Sequence, residues 1–500
     1  MPQAVAPPAA AGGVTNAKNN ILPIITHHTE MQFKYISRNK PQCRRLILIY
    51  AGWAMDWRPF KGLAADGYDV MVVWDYRELT FNWKPLLKYD EICLLAWSMG
   101  VFAASVTVHE ILPRITKRIA VNGTLHPIHD RMGIPETIFS GTVAGLSPTN
   151  MRKFYRRMCL TAGQFEWFKE HKPQRDFEEM RQELTDIETH SLFHVAQVED
   201  WDLAVVGRHD TIFPASNQIN AWRGQGTPVQ LMEAAHLPDF GLLLKRLFIN
   251  KELVSRRFTA SQSTYGNEAV VQRDIAARLW EALQGSLHGR ELTGNVVEVG
   301  VGDGQLTRLY APMRGQGTLQ LWDIADVDTE TIGRVAPDAR VERCDAEVRI
   351  RRMASESAMY ILSASTLQWF NSPQSFLREC GRVLAPGGML AVSTFVHGNV
   401  EELNQVLGTG LQLPTPQAWL GMLPPELEVT WQMADVRRLT FDSPREVLRH
   451  LSQTGVNAVS YGRNPTVLAR KMLQEYPRDA EGRCTLTYRP FYFVARKVEQ

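Results

Sequence analysis

Twice in this chain an apolar run breaks into a turn of small residues and then into a helical pattern. The first break is Ala96-Trp97-Ser98-Met99-Gly100, at the end of the run from Ile92; the second is Glu298-Val299-Gly300-Val301-Gly302-Asp303-Gly304, at the end of the run from Asn295. A short continuous apolar run reads as a buried parallel strand, and such a strand needs helices on both faces of its sheet. A serine at one turn and glycines at the other imply two different chemistries on one polypeptide.

The chain has 500 residues, 44% of them hydrophobic, which exceeds what one core usually organises and suits two domains of about 200 to 250 residues each. The 55 basic and 53 acidic residues leave a formal net charge of +2, too little to favour nucleic acid or a membrane surface as partner. Cys43, Cys93, Cys159, Cys344, Cys380 and Cys484 are scattered and never at CxxC spacing, which fits a reducing cytoplasm and no metal site. No apolar run reaches the roughly 18 residues that cross a bilayer. Residues 1–30 lack periodicity and an export signal; they are expected to be disordered, with Met31 as an older start.

From Met31 onward, strands are predicted at Leu46–Tyr50, Val70–Trp74, Ile92–Trp97, Arg118–Asn122, Leu203–Gly207 and Val229–Met232, alternating with helices. Ser98 leaves the third strand directly, and Val101–Leu112 is predicted to continue as one helix, the strand–nucleophile–helix arrangement of an α/β-hydrolase elbow. Ala96 stands where the usual pattern has glycine, and its small side chain satisfies the turn.

A serine hydroxyl needs a histidine to take its proton and a carboxylate to orient that histidine. Asp210 follows the strand Leu203–Gly207, and His236 follows Val229–Met232, the loop positions where such a fold places its acid and base. His209 is the competing imidazole but precedes the acid. For the oxyanion, the backbone N–H groups of Met99 and of Trp53, in Ala51-Gly52-Trp53, are the expected donors.

Between Thr124 and Trp201 the strands give way to a helical insertion, expected to be a lid over the site. Its segment Met151 to Met158 carries Arg152, Lys153, Arg156 and Arg157 at helical spacing. This is either a solvated helix face or a dock for an acidic carrier protein.

Residues 31 to about 250 resemble the BioG-type pimeloyl-acyl-carrier-protein methyl ester esterases, through Leu46-Ile-Leu-Ile-Tyr-Ala-Gly-Trp-Ala-Met-Asp-Trp57 and Ala96-Trp-Ser-Met-Gly-Val-Phe-Ala-Ala104. The resemblance implies an esterase that removes a methyl ester from a carrier-bound C7 diacid in biotin synthesis. The residues alone give only a serine esterase or thioesterase.

The polar stretch 251–262 is expected to be a linker, and the second domain to run from Ser263 to the end. Glycines 300, 302 and 304 let the main chain turn and approach a ligand, and a helix from Gln305 points its N-terminus at it. That loop alone fits a dinucleotide or S-adenosylmethionine. Downstream, Leu319–Asp323 ends in an acid suited to ribose hydroxyls, and Arg343-Cys344-Asp345 places an acid for the adenine amine. A fourth strand, Met359–Ser363, and a Pro-Gly-Gly turn within Leu384–Thr394 complete the pattern of a class I, Rossmann-like, S-adenosylmethionine-dependent methyltransferase. Expected cofactor contacts are Glu298, Gly300, Gly302, Gly304, Asp323, Asp345 and Ser363.

This domain is similar to the BioC-type malonyl-acyl-carrier-protein O-methyltransferases, through the segment containing Tyr265, Leu367-Gln-Trp-Phe370, Ser393-Thr-Phe-Val-His-Gly-Asn-Val-Glu-Glu-Leu403 and Leu486–Ala495, expected as the terminal strand. The resemblance implies methylation of a free malonyl carboxylate, masking its charge during chain elongation until the first domain unmasks it. The implied partner is acyl carrier protein bearing malonyl or methyl-pimeloyl groups. Tyr265 and Arg438 are candidate substrate contacts. A carboxylate is already ionised at neutral pH, so no catalytic base is expected in this domain. A general serine esterase or thioesterase fused to a small-molecule methyltransferase is the alternative.

Overall fold

The protein is described from a computed structural model covering residues 30–498 apart from 40–42, 199, 408–410, 412 and 455–464. The expectations for residues 1–29 lie outside the described residues.

Seven strands form the first sheet: β1 (Gln32–Ser37), β2 (Arg45–Tyr50), β3 (Asp69–Trp74), β4 (Glu91–Trp97), β5 (Ile115–Val121), β6 (Leu203–Gly207) and β7 (Val229–Met232). Their order is β1-β3-β2-β4-β5-β6-β7; β1 runs antiparallel to β3 and the other pairings are parallel. The central strands β2, β3 and β4 are buried along almost their whole length, which is why they read as unbroken apolar runs.

Helix α1 (Met99–Thr107) packs on β2 and β4, but it ends earlier than the sequence suggests and continues as a 3₁₀ stretch, Val108–Arg114. Pro113 cannot donate to a helical ladder, and the Thr107 hydroxyl bonds back to the Ala103 carbonyl at 2.8 Å, which loosens the last turn. Between β5 and β6 lie four helices, α2 (Glu136–Ala144), α3 (Pro148–Met158), α4 (Ala162–Glu170) and α5 (Phe177–Phe193), in the place expected for a lid. Helices α6 (Ala215–Gly224) and α7 (Phe240–Leu247) follow β6 and β7.

The stretch expected as a linker is helical. Helix α8 (Lys251–Glu268) leads into α9 (Val270–Leu287), which carries a buried apolar stripe of Val271, Ile275, Leu279, Leu283 and Leu287.

The second sheet contains β8 (Val296–Val299), β9 (Leu319–Asp323), β10 (Arg340–Arg343), β11 (Ala358–Ala364), β12 (Leu384–Phe395), β13 (Leu427–Ala434) and β16 (Pro490–Lys497). Its order is β10-β9-β8-β11-β12-β16-β13, parallel except that β16 is antiparallel to both neighbours. Alternate side chains feed two cores: Val296, Leu321 and Leu362 on one face, Val297, Trp322 and Ile361 on the other. Leu486–Ala495 is two strands rather than one. Strand β14 (Arg437–Phe441) pairs with β15 (Cys484–Tyr488) in a separate ribbon, and the chain breaks at Arg489, whose N–H donates to Asn399, before Pro490 opens β16.

The halves meet through polar contacts. Arg351 donates to the carbonyls of Pro113 and Ile115, Arg352 pairs with Asp90 at 3.1 Å, and Arg378 pairs with Asp200 at 2.7 Å.

Candidate active sites

Ser98 sits between β4 and α1 at φ 59° and ψ −129°, a left-handed backbone that a non-glycine residue adopts only when its surroundings enforce it. Neighbouring glycines make that possible. A Cβ on Gly100 would lie 2.4 Å from the Ala51 carbonyl oxygen, and one on Gly123 would lie 2.3 Å from that of Ser98. Ala96 is an internal, buried residue of β4 and needs no such freedom.

The Ser98 Oγ lies 2.9 Å from His236 Nε2, and His236 Nδ1 lies 2.9 Å from Asp210 Oδ2. All three residues are buried. Asp210 Oδ1 accepts from the backbone N–H groups of Ile212 and Phe213, and Oδ2 also accepts from Gln218 Nε2. With its carboxylate held this way, Asp210 fixes the His236 tautomer that carries hydrogen on Nδ1 and leaves Nε2 to accept. The ring is stacked on Phe213, and its own carbonyl accepts from Trp97 and Asn122. His209 is exposed and faces Glu233 instead.

Gly52 abuts Ser98: a Cβ there would be 3.1 Å from Ser98 Cβ. The backbone of Trp53 and Met99 therefore borders Ser98, and Met99 opens α1, where the N–H has no partner inside the helix. The Trp53 loop is clamped by α5. Trp53 Nε1 donates to the Met180 carbonyl of α5 at 2.8 Å, and Glu183 of α5, fully buried, accepts from the N–H groups of Ala54 and Tyr76 at 3.1 and 2.9 Å. Burial pushes the Glu183 carboxyl up, and Arg175, which also pairs with Asp75, opposes that rise. Nothing in the sequence marks Glu183, because an acid on an amphipathic helix reads as a solvated face. Above Ser98 helices α2, α3 and α5 supply an apolar roof that includes Ile138, Phe139, Phe154, Met158 and Leu184. Arg152, Lys153, Arg156 and Arg157 are exposed on α3; Arg157 also borders this cavity and donates to the Thr211 carbonyl.

A second cavity opens at the carboxyl ends of β8, β9, β10 and β11, where open parallel sheets hold their ligands. Gly300, Gly302, Asp323 and Asp345 line it, with Asp303, Ser365, Thr366, Trp369 and Phe370. Gly300 and Gly302 have φ of 77° and 55°, and a Cβ at Gly300 would strike the Thr366 side chain. Asp323 accepts from the N–H groups of Gly302 and Ala325 at 2.9 and 2.8 Å, which ties the loop to the acid. Apolar walls from Val299, Trp322, Ile324, Ala346 and Phe370 suit a flat purine, while Asp323 offers remaining lone pairs to hydroxyls; the donor set fits S-adenosylmethionine.

Three expected contacts fall outside the cavity. Glu298 precedes Val299 in β8, and since successive strand residues face opposite ways, its carboxylate points instead at the hydroxyls of Thr307 and Tyr310, both at 2.6 Å. Burial raises its pKa to about 7. Ser363 likewise turns from the cavity that Ala364 lines and donates to the Val299 carbonyl. Gly304 starts helix α10 (Gln305–Tyr310) beside Ile332. Arg438 is exposed on β14 and does not line the cavity; the side chain of Tyr265 lies outside the described residues. The sequence did not single out Thr366 or α8, whose Lys251, Val254 and Phe258 form one wall.

Fold and sites together define a two-part α/β protein with a methyltransferase domain at its C-terminal end. Residues 31–241 match the family described as pimeloyl-ACP methyl esterase BioG, and residues 297–392 match the methyltransferase domain family. A malonyl-[acyl-carrier protein] O-methyltransferase of Bacteroides fragilis is 35% identical over 471 residues, covering 91% of this chain and 94% of the relative. One from Porphyromonas gingivalis is 33% identical over 51% of this chain and its own entire length. The crystal structure of BioG from Haemophilus influenzae is 33% identical over 41% of this chain and 94% of its own, with a TM-score of 0.38. The chain belongs to the malonyl-[acyl-carrier protein] O-methyltransferase family and carries a BioG domain, and S-adenosylmethionine is its methyl donor.

Proposed function

We propose that the chain is a bifunctional enzyme of biotin synthesis. Its C-terminal half methylates the free carboxyl of malonyl-acyl carrier protein, and its N-terminal half, an α/β-hydrolase, releases methanol from pimeloyl-acyl carrier protein methyl ester. The observation that carries the second activity is the continuous Ser98–His236–Asp210 hydrogen-bonded series beneath an apolar roof.

In the ester reaction His236 Nε2 takes the Ser98 proton as Oγ attacks the ester carbonyl. The tetrahedral oxyanion accepts from the Met99 and Trp53 N–H groups, and Asp210 stabilises the imidazolium. The histidine returns its proton to the departing methoxide, and a water activated by the same base releases the acyl group. An uncharged methyl ester suits the apolar roof; the ionised product does not, which favours its release. Arg152, Lys153, Arg156 and Arg157 beside this mouth are the proposed dock for the acidic carrier.

In the other half S-adenosylmethionine supplies an electrophilic methyl group. Asp323 would hold the ribose hydroxyls and Asp345 would meet the adenine amine, with Gly300 and Gly302 letting the main chain approach. Because the malonyl carboxylate is ionised at neutral pH, these residues act by positioning and no base is needed.

Mass spectrometry of the carrier tests both activities. Malonyl-carrier protein is expected to gain one methyl mass with S-adenosylmethionine, and the pimeloyl methyl ester form to lose one. If neither mass shifts while a short-chain ester is still hydrolysed, the carrier assignment fails and a general esterase fused to a small-molecule methyltransferase replaces it.

A further inference from the structure

Two walls of the cofactor cavity are held by side chains of the other half. Asp345 lines the cavity, and its Oδ2 accepts from Arg45 Nη2 at 3.1 Å while its two oxygens accept from Lys251 Nζ at 2.8 and 2.6 Å. Arg45 starts β2, and its Nε pairs with Glu91 at the start of β4 at 3.1 Å, so the guanidinium is braced on the first sheet before it reaches across. These contacts hold the Asp345 carboxyl below its ordinary range despite its burial.

The second wall is Phe370. The next residue, Asn371, donates through Nδ2 to the Tyr68 hydroxyl oxygen at 2.6 Å and accepts at Oδ1 from the Ile249 N–H at 2.7 Å. Tyr68 in turn donates to Glu91 at 2.9 Å. One buried carboxylate of the first sheet thus anchors both bridges. Helix α8 joins the same cluster: Lys251 at its start also pairs with Glu347, and Asn250 just before it donates to Asp66 at 3.1 Å. Ser98 follows the opposite end of β4, so this cluster is remote from the proposed ester site.

We propose that Arg45 and Tyr68 are positioning residues for S-adenosylmethionine. They aim Asp345 at the adenine amine and fix the Phe370–Asn371 wall, so that the C-terminal half binds its cofactor tightly only while docked on the N-terminal half. The inference rests on the reading of this cavity as the cofactor site. A charge-assisted hydrogen bond that orients a ligand-facing carboxylate is worth about a factor of ten or more in affinity.

Titration calorimetry on the intact chain tests it, with S-adenosylhomocysteine and S-inosylhomocysteine, whose base carries a carbonyl in place of the amine. Arg45→Met is expected to weaken S-adenosylhomocysteine about tenfold and to shrink its advantage over the inosine analogue, while Arg45→Lys restores most of both. Tyr68→Phe, which removes only a hydroxyl, is expected to weaken binding about threefold. Unchanged affinity in both Arg45→Met and Tyr68→Phe overturns the proposal. So does equal weakening of both ligands by Arg45→Met, which would make Arg45 a mere weld between the halves. If Arg45→Met shifts the unfolding midpoint by many degrees, Tyr68→Phe decides alone. A wild-type chain that binds neither ligand refutes the cofactor reading itself.

Discussion

In the N-terminal half three side chains from three loops touch in series, Ser98 to His236 to Asp210, and each link is a 2.9 Å hydrogen bond between buried groups. In the C-terminal half the cavity is lined by glycine main chain, apolar walls and acids that already hold amides or cations. The contrast follows from the chemistry proposed for each. Acyl transfer must activate a poor nucleophile, so it needs specific atoms within hydrogen-bond reach of one another. Methyl transfer to a carboxylate starts from a ready nucleophile, and a shaped, oriented cavity suffices. A side-chain site is sensitive to deleting one atom; a cavity is sensitive to what braces its walls.

The sharpest way to break this comparison is to delete one atom in the first site. Ser98→Ala is expected to lower methyl ester hydrolysis by at least about 10⁴-fold in a methanol-release assay, because the members of such a series act as a unit. A loss of less than tenfold would mean that the buried series is structural.

The second half has its own buried acid with a measurable consequence. Glu298 carries a native pKa of about 7 against an ordinary 4.5, so the folded protein holds its proton more tightly than the unfolded chain does. Its contribution is therefore fully present below about pH 4.5 and is lost as pH rises through 7, a total of about 3 kcal/mol. Glu298→Gln keeps an acceptor for Thr307 and Tyr310 and is expected to raise the unfolding midpoint above pH 7 by roughly 5–10 °C, with little effect near pH 5. An equal shift at both pH values would refute the raised pKa.

The lid clamp gives a smaller effect. Glu183→Gln is expected to lower kcat for the ester roughly tenfold with KM little changed, since only one of the two oxygens that hold the Ala54 and Tyr76 N–H groups remains to brace the loop beside Trp53, and an oxyanion donor acts only in the transition state. A rise in KM alone would place Glu183 in substrate binding instead. Smallest is the carrier dock. Reversing the charge of Arg152 and Lys153 together is expected to raise KM for a carrier-bound ester about three- to tenfold while leaving a small soluble methyl ester unaffected. Equal effects on both esters would reduce that face to a solvated helix.

The two sites were legible in the sequence to different degrees for a physical reason. The strands, the Ser98 turn, Asp210, His236, Gly300, Gly302 and Asp323 announce themselves locally, through apolar runs followed by turn residues that only certain backbones tolerate. The strand period of two, applied strictly, turns the Glu298 and Ser363 side chains away from the cavity, because Val299 and Ala364 take the facing positions. Gln218, Asn122 and Glu183 are ordinary polar residues that reach the candidate site only through the partners the fold brings to them, and no local pattern singles them out. The bridge from Arg45 to Asp345 spans the two halves and is visible only once both sheets are placed. The stretch 251–262 reads as a linker because its helix offers few apolar residues, Val254 and Phe258 packing with Trp369 and Ile324, and so shows little stripe of its own.

Two chemically separate sites on one chain should fail one at a time, and paired inactivation shows whether they do. Ser98→Ala and Asp323→Ala should each be assayed by intact-carrier mass spectrometry for methyl gain on malonyl-carrier protein and methyl loss from the pimeloyl ester. Ser98→Ala is expected to abolish only the loss and Asp323→Ala to impair only the gain. Either variant removing both activities, or Ser98→Ala removing neither, would contradict that separation.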